Sequence, residues 1–154
     1  MRLLLVCALI VFAPMLFAEA ALPDGCRVVA VQGDSVILKA KKGRLVFIHN
    51  LLATDLWLTH PVNSPGASAG WPSRIQAERW SALVVDKSSF PLSCIESKPG
   101  HEQQVACRGV IAVCQWKKVK WPDSSEGSFW AGEDMSLAEL RASLGGRGFV
   151  LPGG

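Results

Sequence analysis

Four cysteines constrain the fold of this chain more than any other feature. Cys26, Cys94, Cys107 and Cys114 lie beyond position 20, and a fifth, Cys7, sits inside an apolar leader. That leader fixes how the four should be read. Met1 and Arg2 precede an almost unbroken apolar run from Leu3 to Phe17, which ends in the small-residue pattern Ala18-Glu19-Ala20. A charged start, an apolar stretch and an A-x-A site in that order describe a secretory signal peptide, expected to occupy residues 1–20 and to leave a single domain over residues 21–154. The run is shorter than the ~20 residues a membrane-crossing helix needs, and Pro14 weakens a helix there. No comparable run follows Ala20. The mature chain is therefore expected to be periplasmic or secreted, with no transmembrane segment.

An even number of cysteines in an oxidising compartment implies two disulfides, and four cysteines allow three pairings. Local geometry favours one of them. The segments SFPLSCIE and QVACRGVIAV flank Lys98-Pro99-Gly100-His101, and Pro-Gly is a strong turn signal. Folding the chain about that turn sets Cys94 near Cys107 and leaves Cys26 for Cys114. A metal site is the poorer reading, because no C-x-x-C pair is present and His101 falls on the turn itself. No metal and no cofactor are expected.

From Cys26 onward the pattern is β. CRVVAVQ, SVILKA and RLVFIHNLL are short runs rich in Val, Ile and Leu, separated by turns at Gly33-Asp34 and Lys41-Lys42-Gly43. Val36 and Leu38 alternate with Ile37 and Lys39, as in a half-buried strand. Residues 61–73, with three prolines, two glycines and three serines, read as a long surface loop. IQAERWSALVVDK is ambiguous between helix and strand, and its Trp80, Leu83, Val84 and Val85 favour a strand. Further strands are expected around Cys94 and from Gln104 to Lys120. A helix follows near the end: Ser136 and Glu139 have capping-box spacing, Leu137, Leu140 and Leu144 share a face, and Gly145-Gly146 stop it. GRGFVLP could add a last strand. The expected fold is mainly β, a single small barrel-like or sandwich domain of about 6 to 8 strands with one C-terminal helix.

Charge excludes little and suggests little. Net charge is +3, and removing Arg2 and Glu19 with the leader leaves it unchanged. The groups Lys39, Lys41, Lys42, Arg44 and Lys117, Lys118, Lys120 read as solvated hairpin edges, so nucleic acid is not an expected partner. Six tryptophans and no tyrosine are a heavier signal. Trp80, Trp116 and Trp130 lie in predicted elements and are expected to pack inside. Trp71 and Trp121 each precede a proline in loop-like sequence, and these two are the candidate binding surface for an unidentified envelope protein or glycan. His49, Asp55 and His60, with Ser35 or Ser81, supply side chains that could be imagined as a catalytic set. No activated-serine context such as G-x-S-x-G surrounds either serine, and no residue is assigned a catalytic role.

Two resemblances bear on function. The run VVAVQGDSVILKAKKGRLVFIHN resembles the first hairpin of thermonuclease-like OB-fold proteins, with Asp34 and Arg44 matching a turn aspartate and a following arginine. It departs at Gln32, where the family has an aspartate, and at Asn50 to Asp55, which replace the family's D-x-P-E segment. Losing those carboxylates removes the metal-assisted reaction the family would imply. The longer stretch from ALPDGCRVVAVQGDSVILKA through SCIESKPG and VCQWKKVK to FWAGEDMSLAELRASLGGRGFVLP resembles the enhanced-entry protein B (EnhB-like) family of small bacterial periplasmic proteins. That resemblance implies an envelope protein linked to host-cell entry and brings no reaction, cofactor or active site. The functional expectation is a non-enzymatic exported interaction module. Its alternative is a degenerate OB-fold nuclease-like protein or a cell-wall glycan hydrolase.

Overall fold

The structure is a computed structural model that describes residues 21–38, 44–60, 71–120, 122 and 128–152, without the side chains of His60, Trp71 and Pro72. Among these residues run twelve strands and one helix: β1 (Cys26–Val28), β2 (Val31–Gln32), β3 (Ser35–Ile37), β4 (Arg44–Asn50), β5 (Asp55–His60), β6 (Trp71–Ile75), β7 (Trp80–Val85), β8 (Ser89–Pro91), β9 (Ser93–Lys98), β10 (His101–Val105), β11 (Ile111–Trp116), β12 (Phe129–Met135) and α1 (Leu137–Gly146). The chain is mainly β with a C-terminal helix, as its patterning implies. The strands are shorter and more numerous than expected, because two runs that read as continuous are broken where the chain changes sheets.

The strands form three antiparallel sheets, ordered β1-β11-β4-β7-β12, β10-β9-β5-β6 and β2-β3-β8. None of these closes into a barrel, and the arrangement is sandwich-like. The five-stranded sheet lies at the centre. Along β4, Val46 and Ile48 join one core with Leu83, Val85 and Val113 and with Leu56, Leu58, Ile75 and Phe90 of the two smaller sheets. Leu45 and Phe47 join a second core on the opposite face with Trp80, Trp116, Leu140, Leu144 and Phe149. Burial on both faces explains why LVFI of β4 and all six residues of β7 are buried without polar alternation. In the second core Phe47 meets Trp116 edge-on at 5.3 Å and Trp80 at 6.4 Å, a geometry that aligns ring edges with ring faces.

Helix α1 covers that second face. Ser136 caps it: its hydroxyl accepts from Glu139 N while the Glu139 carboxylate accepts from Ser136 N, the reciprocal pair expected from the spacing. Leu140 and Leu144, one turn apart, are its buried residues. Gly132 of β12 lies directly beneath: a Cβ at that position would overlap Leu140 Cδ1. The strand β12 is irregular here, with register shifts on both sides of Gly132. Asp134 takes a left-handed φ of 51°. Its carboxylate accepts from Gln76 N and Nε2, and its own N–H donates to Ser81 Oγ. Those bonds offset the backbone strain and fasten the corner between β6 and β12.

Five expectations need correction. Gly145 and Gly146 do not stop the helix: α1 runs through both to a C-cap at Arg147. CRVVAVQ is not one strand: β1 pairs with β11, then the chain turns after Val29 and β2 pairs with β3 in another sheet. The stretch from Gln104 to Lys120 stops at Val105 and resumes at Ile111 around a turn at residues 106–110. Residues 71–73 belong to β6 rather than to a loop, with Pro72 opposite Thr59 on the sheet's outer strand, where a missing N–H is tolerated. GRGFVLP forms a single bridge, Val150 to Lys120, instead of a strand. The turn expected at Lys41-Lys42-Gly43 lies outside the described residues, as do residues 1–20.

Candidate functional site

The two disulfides fasten different sheets. Cys26–Cys114 joins β1 to β11 across 88 positions with a Cα separation of 5.4 Å, and Cys94–Cys107 spans 13 positions at 5.3 Å. The second closes the hairpin about Pro99-Gly100, whose register sets Cys94 opposite Val105, two residues before Cys107. Asp34 is tied to the same staple: its Oδ1 accepts from Cys107 N at 3.2 Å and its carbonyl accepts from Leu92 N at 2.7 Å. The Asp34 carboxylate thus holds the Gly33-Asp34 turn against the bridge.

The tryptophans divide by element. Trp80 and Trp116 are buried, and Trp130 is half-buried against the first core. Trp57 is half-buried, with the Arg74 guanidinium 5.9 Å from its ring centre. Trp71 opens β6 opposite His60, but its side chain lies outside the described residues, and so does all of Trp121. The polar residues that could have formed a catalytic set are placed apart in separate contacts. Ser81 is buried against Ser73 Oγ at 3.3 Å, Asp55 pairs with Arg74, and His49 stacks on Trp80. His60 is described only in its backbone.

Two depressions among the described residues are lined by charged side chains of the sheets. The larger of these two, about 740 Å³, lies beside the β9–β10 turn, and among the described residues its charges are matched in place except for Glu102, which takes part in no ion pair. Arg74 pairs with Asp55, and Lys98 pairs with Glu96 at 3.1 Å. Thr54 Oγ1 donates to Glu96 at 2.7 Å; that bond first, and Lys98 second, hold the Glu96 carboxyl below the usual carboxylate range. Such a surface has little unspent charge to offer a ligand.

The second depression, about 420 Å³, is different. It lies where the central sheet runs past the small β2-β3-β8 sheet, and Arg27, Arg44, Lys117 and Gln115 line it, with no carboxylate among the described residues of its walls. Strand alternation explains the cluster. Arg27 is registered opposite Gln115, and Gln115 opposite Val46, so Arg27, Gln115 and Arg44 share the face that carries Val29, Val113 and Val46 into the first core, and Lys117, just past the end of β11, lines the same groove. They are the first layer beyond that core. Among the described residues neither Arg27 nor Lys117 takes part in an ion pair. Two large apolar side chains at the groove are exposed, Val28 by 63% and Ile37 by 40%. The sequence singled out Arg44 and Lys117 only as members of charge runs and did not single out Arg27. What joins them is the non-local pairing of β1, β11 and β4, which no local pattern reveals.

Comparison with family models, with curated proteins and with solved structures finds no match for this chain. Among the described residues no helix is long and apolar enough to cross a membrane.

Proposed function

We propose that this chain is an exported, non-enzymatic binding module of a bacterial envelope. The observation that carries the reading is the cation-lined groove beside β1: like charges gathered without carboxylates, on a strand covalently fixed by Cys26–Cys114. A site that holds Arg27 and Lys117 together, with no ion pair to either among the described residues, is arranged to receive an anion from outside. The signal-like leader and the two disulfides support export. The resemblance to the enhanced-entry protein B family supports an envelope location. Asp34, the residue a nuclease-like reading would need, has its carboxylate engaged by the Cys107 amide.

A screen of the mature protein for nuclease and muramidase activity, with and without divalent metal, tests this reading. Turnover at the level of the blank is expected. Activity that disappears in Asp34→Ala would overturn it in favour of a hydrolase. Mass spectrometry of the exported protein should find Ala21 first, and an intact Met1 would remove the export step.

A further inference from the structure

The groove's chemistry and the strand beside it together point to one class of ligand. We propose that it receives an extended acidic segment of a partner protein, which pairs as an added strand along the outer edge of β1 while its carboxylates meet Arg27 and Lys117. The inference rests on the binding-module reading and gives that site its partner chemistry.

Strand register supplies the backbone half. Val29 N donates to Val113 O at 2.9 Å, so Val29 and Val113 are a hydrogen-bonded pair of the antiparallel ladder. Alternation makes the next pair, Val28 and Cys114, one whose amides point away from each other. Cys114 directs its groups toward β4, its other neighbour. Val28 directs its N–H and C=O outward, and β1 is the terminal strand of its sheet. An edge of this kind is a template for main-chain pairing. Charge selects which strand. Arg27 and Lys117 would repel a basic segment and attract an acidic one, and exposed Val28 and Ile37 offer apolar contact to side chains between the acids.

The same surface disfavours other anions. Glycans and single-stranded nucleic acids are held by stacking on aromatic faces as well as by charge. Among the described residues no aromatic side chain lines the groove.

The test is a fluorescence-anisotropy titration of the full mature protein. The probe is a labelled peptide of about nine residues alternating glutamate and valine, a length that spans a typical strand. A lysine-valine peptide and heparin serve as comparisons. Saturable binding of the acidic peptide alone is expected, weakening as salt is raised. Arg27→Glu and Lys117→Glu should each reduce affinity about tenfold, since reversing a charge replaces attraction with repulsion. Val28→Pro is the sharper variant. It removes one outward-facing donor at an edge where proline is tolerated, so it should abolish binding while leaving the thermal midpoint nearly unchanged. If Val28→Pro does unfold the chain, amide exchange at Val28 in the unaltered protein replaces it, and peptide should slow that exchange. Absence of acidic-peptide binding, binding indifferent to both charge reversals, or heparin binding tighter than the peptide would each overturn the inference. None of these results depends on the hydrolase screen, so the two readings can fail separately.

Discussion

His49 lies flat against Trp80 across the β4–β7 pair, with ring centroids 4.1 Å apart and planes 8° from parallel. Its Nε2 is 3.0 Å from the Glu78 carbonyl and must donate to it. Nδ1 is buried without a partner among the described residues. A proton there would have no acceptor. Burial is the main reason the imidazole titrates below its usual value of 6.5, outweighing the Glu78 carbonyl and the Glu78 charge, which act the other way.

This predicts a pH dependence with a definite sign. The unfolded chain takes up the His49 proton more readily than the folded one, so stability is full above about pH 6.5 and falls as pH drops from there through the lowered folded value. Replacing His49 by Phe keeps the stack and removes the titration. Thermal midpoints measured from about pH 7 to pH 5 should fall less steeply in His49→Phe than in the parent chain. Equal slopes would show that the ring does not titrate in this window. Glu96 and Glu139, whose carboxyls are held low, act in a separate window, because their stabilisation is lost only as pH falls below about 4.5.

Reduction should destabilise the fold unequally. In the chain-entropy account the Cys94–Cys107 loop corresponds to about 3 kcal/mol and the far longer Cys26–Cys114 loop to about 4.5 kcal/mol. Denaturant unfolding of Cys26→Ser/Cys114→Ser should therefore show the larger loss. Non-reducing peptide mapping should return only these two pairs; a Cys107–Cys114 peptide would contradict the structure.

Asn50 is buried at the end of β4, and its amide nitrogen lies 2.8 to 3.0 Å from the carbonyls of Thr54, Ile75 and Gln76. Its Oδ1 accepts from Leu52 N at 2.9 Å. One side chain thereby fastens the β4–β5 turn to the end of β6. Asn50→Leu would leave several backbone groups without partners, each costing about 1 to 3 kcal/mol where it stays dry. A loss of at least about 3 kcal/mol in urea titration is expected, and a loss under about 1 kcal/mol would mean that water replaces the amide.

Gly132 is set by space rather than by backbone conformation. Gly132→Ala would press a methyl group into Leu140 and lift α1 from the sheet, at a cost of about 1 to 3 kcal/mol. The double variant Gly132→Ala/Leu140→Ala should lose less than the sum of the two single changes, because each makes room for the other.

Local rules and long-range pairing divide what could be read in advance. Pro99-Gly100 and the Ser136–Glu139 cap act over three or four residues, and their turn and helix start are where those residues place them. The break after Val29 was hidden, because VVAVQ has the same composition on both sides of it and only Val113 and Val36 decide which sheet each half joins. Asp134 was hidden for a related reason: its left-handed backbone depends on Gln76 and Ser81, more than fifty positions away. The groove is the extreme case. Arg27 and Lys117 are brought together only by the pairing of β1 with β11, and Arg44 only by the further pairing of β11 with β4.

The order of the central sheet also bears on how the chain can be assembled in time. Among the described strands β1 is the first made, yet its partner β11 is the penultimate one. Until about ninety residues more have been supplied, β1 has no neighbour in its sheet and Cys26 has no bonding partner. Long-range pairing of this kind makes folding slow. The edge and the thiol are thus both exposed on a nascent chain. A cysteine that waits this long is open to incorrect partners, so the yield of correctly bridged protein should depend on an oxidant or isomerase more than on the sequence of β1 itself.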